Sequence, residues 1–220
     1  MNEAERERFI RAQTVVEAVA LVPELSVFSA TSLSPLWLAT QTTLDASEME
    51  PPFWAFAWSG GQALARYVLD EPATVRGMRV LDFATGSGIV GIAAHLAGAE
   101  SVKASDIDPL ACTAARLNAE LAGVSLEIAS SDLVDSELVG VDVVLAGDVF
   151  YDRAASQRFH PWFQALTRAG KRVLVGDPGR AYLPADLEPL AVYNVPVAFE
   201  IESKKAMQTK IWRYPKQSPT

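Results

Sequence analysis

The sequence is poor in the residues that build disulfides and metal sites. Its 220 residues include one cysteine, Cys112, and two histidines, His95 and His160. A single cysteine excludes an internal disulfide, and no histidine or cysteine spacing is typical of a metal site. The sequence also lacks a Ser-His-Asp arrangement and the GxxxxGK[ST] phosphate loop. These absences argue against a metal site, a serine hydrolase and a P-loop nucleotide hydrolase.

Long apolar runs and basic charge are also scarce. No uninterrupted apolar run reaches the roughly 18 residues that a membrane-spanning helix needs. Lys and Arg number 19 against 27 Asp and Glu, a net charge of -8, which argues against a broad nucleic-acid surface. The acid-rich start, MNEAERERF, is unlike a secretory signal or an organelle transit peptide. We therefore expect a cytoplasmic monomer without a nucleic-acid or membrane partner.

Half of the residues are apolar, enough for one substantial core, so a single domain over residues 1–220 is expected. Residues 1–60 are interpreted as an N-terminal helix and cap, and residues 61–220 as the core. Apolar spacing predicts an amphipathic helix over residues 3–21. Residues 26–52 show no period and suggest an irregular cap.

From residue 61 onward, strands and helices alternate. The predicted helices cover residues 61–69, 89–96, 110–122 and 154–167. The predicted strands cover residues 79–83, 101–105, 126–129, 141–146 and 172–176. Such alternation is typical of βαβ units, which predicts a Rossmann-like, doubly wound α/β fold with a seven-stranded, mostly parallel sheet. The last two strands, residues 195–201 and 209–214, are predicted to form an antiparallel hairpin at a sheet edge.

The first predicted strand runs into a glycine-rich turn, Asp82-Phe83-Ala84-Thr85-Gly86-Ser87-Gly88. Open α/β sheets bind ligands at the carboxyl ends of their strands, and Gly86 and Gly88 would let a ligand approach the backbone. Asp82 could receive a ligand donor such as an ammonium group. Gly-Ser-Gly could also be only a turn, but its strand–turn–helix context favours a ligand site.

Acids follow the next two strands as well. Asp106 stands where a carboxylate accepts the ribose hydroxyls of an adenosine-type ligand, whereas Asp108, before Pro109, fits a helix N-cap better. Asp132 could bond the adenine amine while Leu133 packs on the ring, or Asp132 could equally cap a helix.

The fourth strand ends in Asp148-Val149-Phe150-Tyr151-Asp152. Asp148 and Asp152 could hold or deprotonate an amine, and the two rings could line its channel. The alternative is core packing of Phe150 and a helix cap at Asp152. Trp58, in an aromatic cluster before the first core helix, could likewise form a site wall or fill the core.

These motifs resemble the class I, seven-stranded methyltransferases over roughly residues 51–214. The acid–x–aromatic–aromatic–acid segment is similar to the family 16 protein-lysine methyltransferases, and PPFWAFAWSGGQALARYVLD resembles members of that family that act on the electron transfer flavoprotein β subunit. Ala84-Thr85 departs from the commoner Gly-Cys or Gly-Ala at this place in the turn. Ser59 replaces a common proline.

The resemblance implies S-adenosyl-L-methionine as cofactor and the flavoprotein β subunit as protein substrate. It assigns the cofactor to Trp58, Asp82, Gly86, Gly88, Asp106 and Asp132, and the lysine channel to Asp148, Phe150 and Tyr151. Two alternatives remain open. One is a methyltransferase for another acceptor, such as a ribosomal protein or a small amine. The other is a nucleotide-binding Rossmann protein, which the missing third glycine of the dinucleotide motif disfavours.

Overall fold

The computed structural model describes residues 1–31, 36, 52–196 and 206–216. Short 3₁₀ turns at Phe53–Ala55 and Pro72–Thr74 flank the second helix. The helices are α1 (Glu3–Gln13), α2 (Ser59–Asp70), α3 (Ile89–Leu96), α4 (Pro109–Leu121) and α5 (Arg153–Arg168). The strands are β1 (Val15–Val19), β2 (Val22–Ser29), β3 (Arg79–Phe83), β4 (Ser101–Asp106), β5 (Glu127–Ser130), β6 (Val143–Gly147), β7 (Arg172–Asp177), β8 (Glu188–Pro196) and β9 (Ala206–Arg213).

The main sheet has the predicted seven strands, in the order β5-β4-β3-β6-β7-β9-β8. Strands β3 to β7 run parallel, and β9 pairs antiparallel with both β7 and β8. The strand order reverses between β3 and β6, which is the position where open α/β sheets bind ligands outside the carboxyl ends of their strands. The Rossmann-like fold predicted from the alternation is confirmed, and this edge of the sheet is where a site is expected.

The C-terminal hairpin is confirmed, but its first strand begins earlier than predicted. The prediction placed that strand at residues 195–201, whereas β8 covers Glu188–Pro196 and residues 197–201 lie outside the described residues. Most of β8 is exposed or half-buried, because it forms the sheet edge beyond β9. An edge strand with little buried surface lacks the apolar pattern on which the prediction depended.

The prediction of one helix over residues 3–21 is wrong. Helix α1 ends at Gln13, and β1 and β2 form an antiparallel hairpin, so the N-terminal cap is a helix followed by a hairpin. The apolar positions of this segment include Val15, Val16 and Val19, whose β-branched side chains favour strands. Of the predicted irregular cap, residues 26–29 belong to β2, while residues 32–35 and 37–51 lie outside the described residues.

Three buried apolar clusters hold these elements together. One cluster joins α2 and α3 to one face of the sheet, and a second joins α5 to the other face. The third packs the N-terminal cap onto α4, with Trp54 only 1% exposed against Leu117 and its neighbours. None of the helices within the described ranges is long and apolar enough to cross a membrane.

A buried amide connects the N-terminal cap to the glycine-rich turn. Asn118 on α4 is fully buried, and its side-chain amide donates a hydrogen bond of 2.7 Å to the carbonyl oxygen of Ser87. Its side-chain oxygen accepts a hydrogen bond of 2.8 Å from the backbone N–H of Phe28 in β2. Both backbone groups therefore depend on one side chain that has no competing contact with water.

We expect Asn118→Leu to lower the free energy of unfolding by about 2 to 5 kcal/mol, because a side chain of similar volume would leave two buried backbone groups unsatisfied. Urea unfolding followed by circular dichroism measures the change. Asn194→Leu on the edge strand β8, where Asn194 is exposed, is the matched control and should change the value by less than about 0.5 kcal/mol. Equal losses in the two variants would contradict the role of Asn118.

Candidate functional site

The glycine-rich turn between β3 and α3 is organised by Asp82. This carboxylate is 1% exposed and accepts hydrogen bonds from the Thr85 hydroxyl and from the backbone N–H of Gly91, the latter at 2.8 Å. Thr85, one of the departures from the family pattern, therefore supplies a donor within the turn. Ala84, the other departure, has a φ of +52°, a conformation that favours glycine and explains why glycine is commoner there.

Gly88 ends the turn in the left-handed conformation, with a φ of +82°. A Cβ at this position would lie 2.9 Å from both the Cα and the Cβ of Ala115 on α4. Both observations require glycine at Gly88. The same residue is the N-cap of α3, so the helix begins directly at the turn and its N-terminus faces the carboxyl edge of the sheet.

Burial raises the pKa of Asp82 to about 7, while the hydrogen bonds from Thr85 and Gly91 oppose that shift and the nearby carboxylate of Asp106 adds to it. A cationic ligand group placed close to this strand end would lower the pKa again. The position is therefore suited to an ammonium-bearing ligand on electrostatic grounds.

Asp106, at the end of β4, joins the turn to the neighbouring strand. One carboxylate oxygen accepts the backbone N–H of Gly86 at 3.0 Å, and the other accepts the backbone N–H of Asp108 at 3.0 Å. Each oxygen retains acceptor capacity, since a carboxylate offers about four lone-pair sites. A Cβ built on Gly86 finds no atom of the described residues within 4 Å, so the described part of the chain leaves space beside this carboxylate. Open space and spare acceptors fit the hydroxyl groups of a ribose.

Two other acids, Asp108 and Asp132, follow strands in this half of the sheet and have different partners. Asp108 is the N-cap of α4, as predicted, and accepts the backbone N–H of Leu110 at 2.7 Å. Asp132 follows β5, pairs with Arg158 at 2.8 Å and accepts the backbone N–H of Val134 at 3.0 Å. The hydrogen bond from Arg158 lowers the pKa of Asp132.

Asp148, directly after β6, is buried and surrounded by donors. One carboxylate oxygen accepts Nε and Nη2 of Arg180, at 3.0 and 2.6 Å, and the other accepts the backbone N–H of Gly61 at 3.0 Å. Burial raises the pKa of Asp148, and the charge of Arg180 opposes that shift. Its φ of +56° places the residue in the sparsely populated left-handed region. The carboxylate is thus held in one position by two separate elements.

Close backbone contact explains how the start of α2 reaches Asp148. A Cβ on Gly60 would lie 2.1 Å from the carbonyl oxygen of Gly176, and a Cβ on Gly176 would lie 2.1 Å from that of Gly60. A Cβ on Gly147 would come within 2.8 Å of Gly61. Only glycines permit this approach, which brings the first-turn N–H groups of α2 onto the Asp148 carboxylate.

The residues after Asp148 divide between the core and the surface. Phe150 is fully buried and packs against Phe163 with the ring centroids 6.3 Å apart, so the prediction that it lines a channel is wrong and its alternative, core packing, is observed. Tyr151 is half exposed, and its ring lies 5.0 Å from that of Phe53. Asp152 is the N-cap of α5 and accepts the backbone N–H of Ala155.

Trp58 forms a wall beside Asp148. Its indole N–H donates to the carbonyl oxygen of Phe53 at 2.8 Å, which fixes the ring at the start of α2. The guanidinium carbon of Arg180 lies 5.7 Å from the ring centroid of Trp58, within the range of a cation–π interaction. The structure therefore brings Trp58 together with Asp148 and Arg180, while Asp82, Gly86, Gly88 and Asp106 gather at the glycine-rich turn.

Sequence reasoning missed Arg180 and Asp177. Asp177 ends β7 and is fully buried, and one carboxylate oxygen accepts the backbone N–H groups of Gly179 and Arg180, both at 2.7 Å. Burial raises the pKa of Asp177 to about 6. An acid at the end of a predicted strand is the signal that identified Asp148. Asp177, at the end of β7 and followed by Pro178-Gly179, shows the same signal, which would have identified this turn.

Comparison with known proteins identifies close relatives over most of the chain. The electron transfer flavoprotein beta subunit lysine methyltransferase of Danio rerio is 37% identical over 97% of this chain and 84% of the relative. The Mus musculus protein of the same name is 34% identical over 91% of this chain and 80% of the relative.

Two further comparisons agree with the fold. The family described as Ribosomal protein L11 methyltransferase (PrmA) matches residues 62–148. The RNA methyltransferase from Salinibacter ruber, solved in complex with S-adenosyl-L-homocysteine, has a TM-score of 0.51 and 19% sequence identity. That alignment covers 71% of this chain and 94% of the solved one.

The relatives align across both halves of the site, the glycine-rich turn as well as the segment after β6. Together with the sheet order and the carboxyl-edge acids, this extent of identity shows that the chain belongs to the family of electron transfer flavoprotein beta subunit lysine methyltransferases.

Proposed function

We propose that this protein transfers methyl groups from S-adenosyl-L-methionine to lysine ε-amines of the electron transfer flavoprotein β subunit. The observation that carries the proposal is the similarity to relatives that are named for this activity. The alignment with one of them covers 97% of this chain. The geometry supports it as well, because an open turn suited to a nucleoside lies on the same sheet edge as a buried, aromatic-walled carboxylate.

The cofactor fits the glycine-rich turn. We assign its ribose hydroxyls to Asp106, its ammonium group to the region of Asp82, and its close backbone approach to Gly86 and Gly88. Asp132 would bond the adenine amine from the half-exposed position after β5, and Trp58 would flank the site at the start of α2. The bound cofactor supplies a methyl group already activated by its positively charged sulfur, so positioning contributes most to the rate.

The acceptor side is assigned to Asp148 and Tyr151. A lysine ammonium has a pKa of about 10.4 and must lose a proton to water before its nitrogen can attack. In the transfer a nitrogen–carbon bond forms, the sulfur–carbon bond breaks, and its electron pair remains on sulfur. We propose that Asp148 orients the amine and that desolvation beside the rings of Tyr151 and Phe53 favours its neutral form.

A second candidate acceptor comes from the family comparison. The match to the ribosomal protein L11 methyltransferase family includes the glycine-rich turn and all the acids assigned to the cofactor. It ends at residue 148, however, before Tyr151 and Arg180. The match therefore supports a shared cofactor half and says little about the acceptor, so a ribosomal protein stays the second candidate, with a small amine as a further alternative.

The charge of the chain suits a protein partner with exposed lysines. Its net charge of -8 would steer a basic surface toward the enzyme and does not favour nucleic acid. We further propose that the protein acts as a monomer in the cytoplasm. Size-exclusion chromatography with light scattering tests the first point, since a monomer has a mass of 23.7 kDa.

Asp148→Ala and Asp148→Asn should nearly abolish methyl transfer, because the amine loses the group that orients it. Binding of S-adenosyl-L-methionine, measured by calorimetry, should remain largely intact in both variants. Initial rates with labelled cofactor and purified flavoprotein β subunit measure the loss. Full activity in both variants would overturn the role of Asp148.

Asp106→Ala should weaken the binding of S-adenosyl-L-methionine by about tenfold to a hundredfold, the size of a lost hydrogen bond to a charged group. Calorimetric titration gives the dissociation constants. Asp142→Ala removes an equal charge at the opposite, amino edge of the sheet, where Asp142 pairs with Arg79, and serves as the control. Equal affinities of the Asp106 variant and the wild type would contradict the assignment of the ribose.

Incubating the enzyme and methyl-labelled S-adenosyl-L-methionine with cell extract should label the flavoprotein β subunit on lysine. Mass spectrometry of the labelled bands identifies both the protein and the modified residues. The Asp148→Asn variant is the matched control and should leave the same band unlabelled. Label confined to a ribosomal protein would replace the leading substrate with the second candidate.

A further inference from the structure

Asp148, the proposed acceptor carboxylate, forms a buried ion pair with Arg180. The side chains are only 19% and 9% exposed, and their closest atoms are 2.6 Å apart. Burying two charges costs several kcal/mol per ion unless geometry and further hydrogen bonds compensate. A pair of this kind at the assigned acceptor position therefore calls for a function.

Contacts from two elements hold the guanidinium of Arg180, and a third element holds its backbone. The carboxylate of Asp148 binds it from the end of β6, and Trp58 lies under it from the start of α2. Asp177, at the end of β7, holds the backbone of the turn through the N–H groups of Gly179 and Arg180. Residues from separate parts of the chain converge on one side chain, so its position is set before any substrate arrives.

Asp148 alone would raise the pKa of a substrate amine beside it, and the positive charge of Arg180 opposes that shift. A lone carboxylate close to a lysine stabilises the ammonium form, which cannot attack. A cation in the same place has the opposite effect and is a known means of activating a lysine nucleophile. We propose, on the basis of the proposed lysine methyl transfer, that Arg180 is a positioning residue that cancels the charge of Asp148, so that the bound substrate amine is held in its neutral form.

Two further charged groups lie near this pair within the part of the chain that the structure describes. Asp177 contributes a second buried carboxylate from β7, and Lys210 on β9 lies opposite it in the strand register, with its ammonium group 5.1 Å from the ring centroid of Trp212. The first turn of α2, which the structure describes in full, holds no acidic or basic side chain. Among the described residues, Arg180 is the cation that bonds the carboxylate of Asp148 directly, and its removal takes this counter-charge away from Asp148 and Asp177.

The test is the pH dependence of kcat for methyl transfer to the purified flavoprotein β subunit, measured with Arg180→Gln and Arg180→Lys. In Arg180→Gln the acid limb should move to higher pH by about one unit, which is a tenfold loss near neutrality that is recovered at alkaline pH. Arg180→Lys keeps the charge and should keep the limb close to that of the wild type. Calorimetry with S-adenosyl-L-methionine checks that both variants retain the folded cofactor site.

Arg213→Gln is the matched control, since Arg213 pairs with Glu188 on the exposed hairpin and its loss changes the net charge equally. Its profile should coincide with that of the wild type. A profile of Arg180→Gln that coincides with the wild type, or a loss that is constant across the pH range, would overturn the charge-cancelling role. Absence of methyl transfer by the wild-type enzyme would instead refute the proposed substrate, so the two failures are distinguishable.

Discussion

The contact between the start of α2 and the carboxyl ends of β6 and β7 is the constraint on which the rest of the site depends. Gly60 and Gly176 approach so closely that neither tolerates a Cβ, and this approach delivers the first-turn N–H groups of α2 to Asp148. A helix N-terminus carries a partial positive charge, so this contact stabilises the buried carboxylate of Asp148. A shift of α2 away from β6 would remove the hydrogen bond that Gly61 donates to that carboxylate.

The same contact links the two halves of the site. Gly61 packs close to Ile89, the first residue of α3, which begins directly after the glycine-rich turn. Trp58, one residue before α2, borders Arg180. Helix α2 therefore touches both the element that begins the proposed cofactor site and the residues of the proposed acceptor site. Methyl transfer depends on how the two reactants are oriented, and α2 directly connects the elements that bear the two proposed sites.

The sequence was sufficient for the positions of the strand-end acids but not for their partners. Alternating elements placed Asp82, Asp106 and Asp148 at one sheet edge, because parallel strands end on the same side. The partners come from distant segments: Arg180 follows β7, and Asn118 is an ordinary polar residue within a helix pattern. The sequence predicts a channel position for Phe150, whereas its ring is buried in the core, because the sequence does not show whether an aromatic side chain after a strand turns inward or outward. The N-terminal hairpin was missed because its valines satisfy a helical period as well as a strand.

The buried acids at this edge of the sheet affect the free energy of unfolding. The pKa of Asp82 is raised from 3.8 to about 7, so between those values the folded chain retains a proton that the unfolded chain has released. By linkage the free energy of unfolding falls as the pH rises through that window, and the group weakens the fold at neutral pH. A cation bound near Asp82 reverses the effect, because it stabilises the carboxylate that burial disfavours. At Asp148 the protein supplies that cation itself through Arg180, whereas at Asp82 the described contacts are a hydroxyl and a backbone N–H. The two buried carboxylates therefore differ, because an arginine balances the charge of Asp148 whereas the described partners of Asp82 are uncharged.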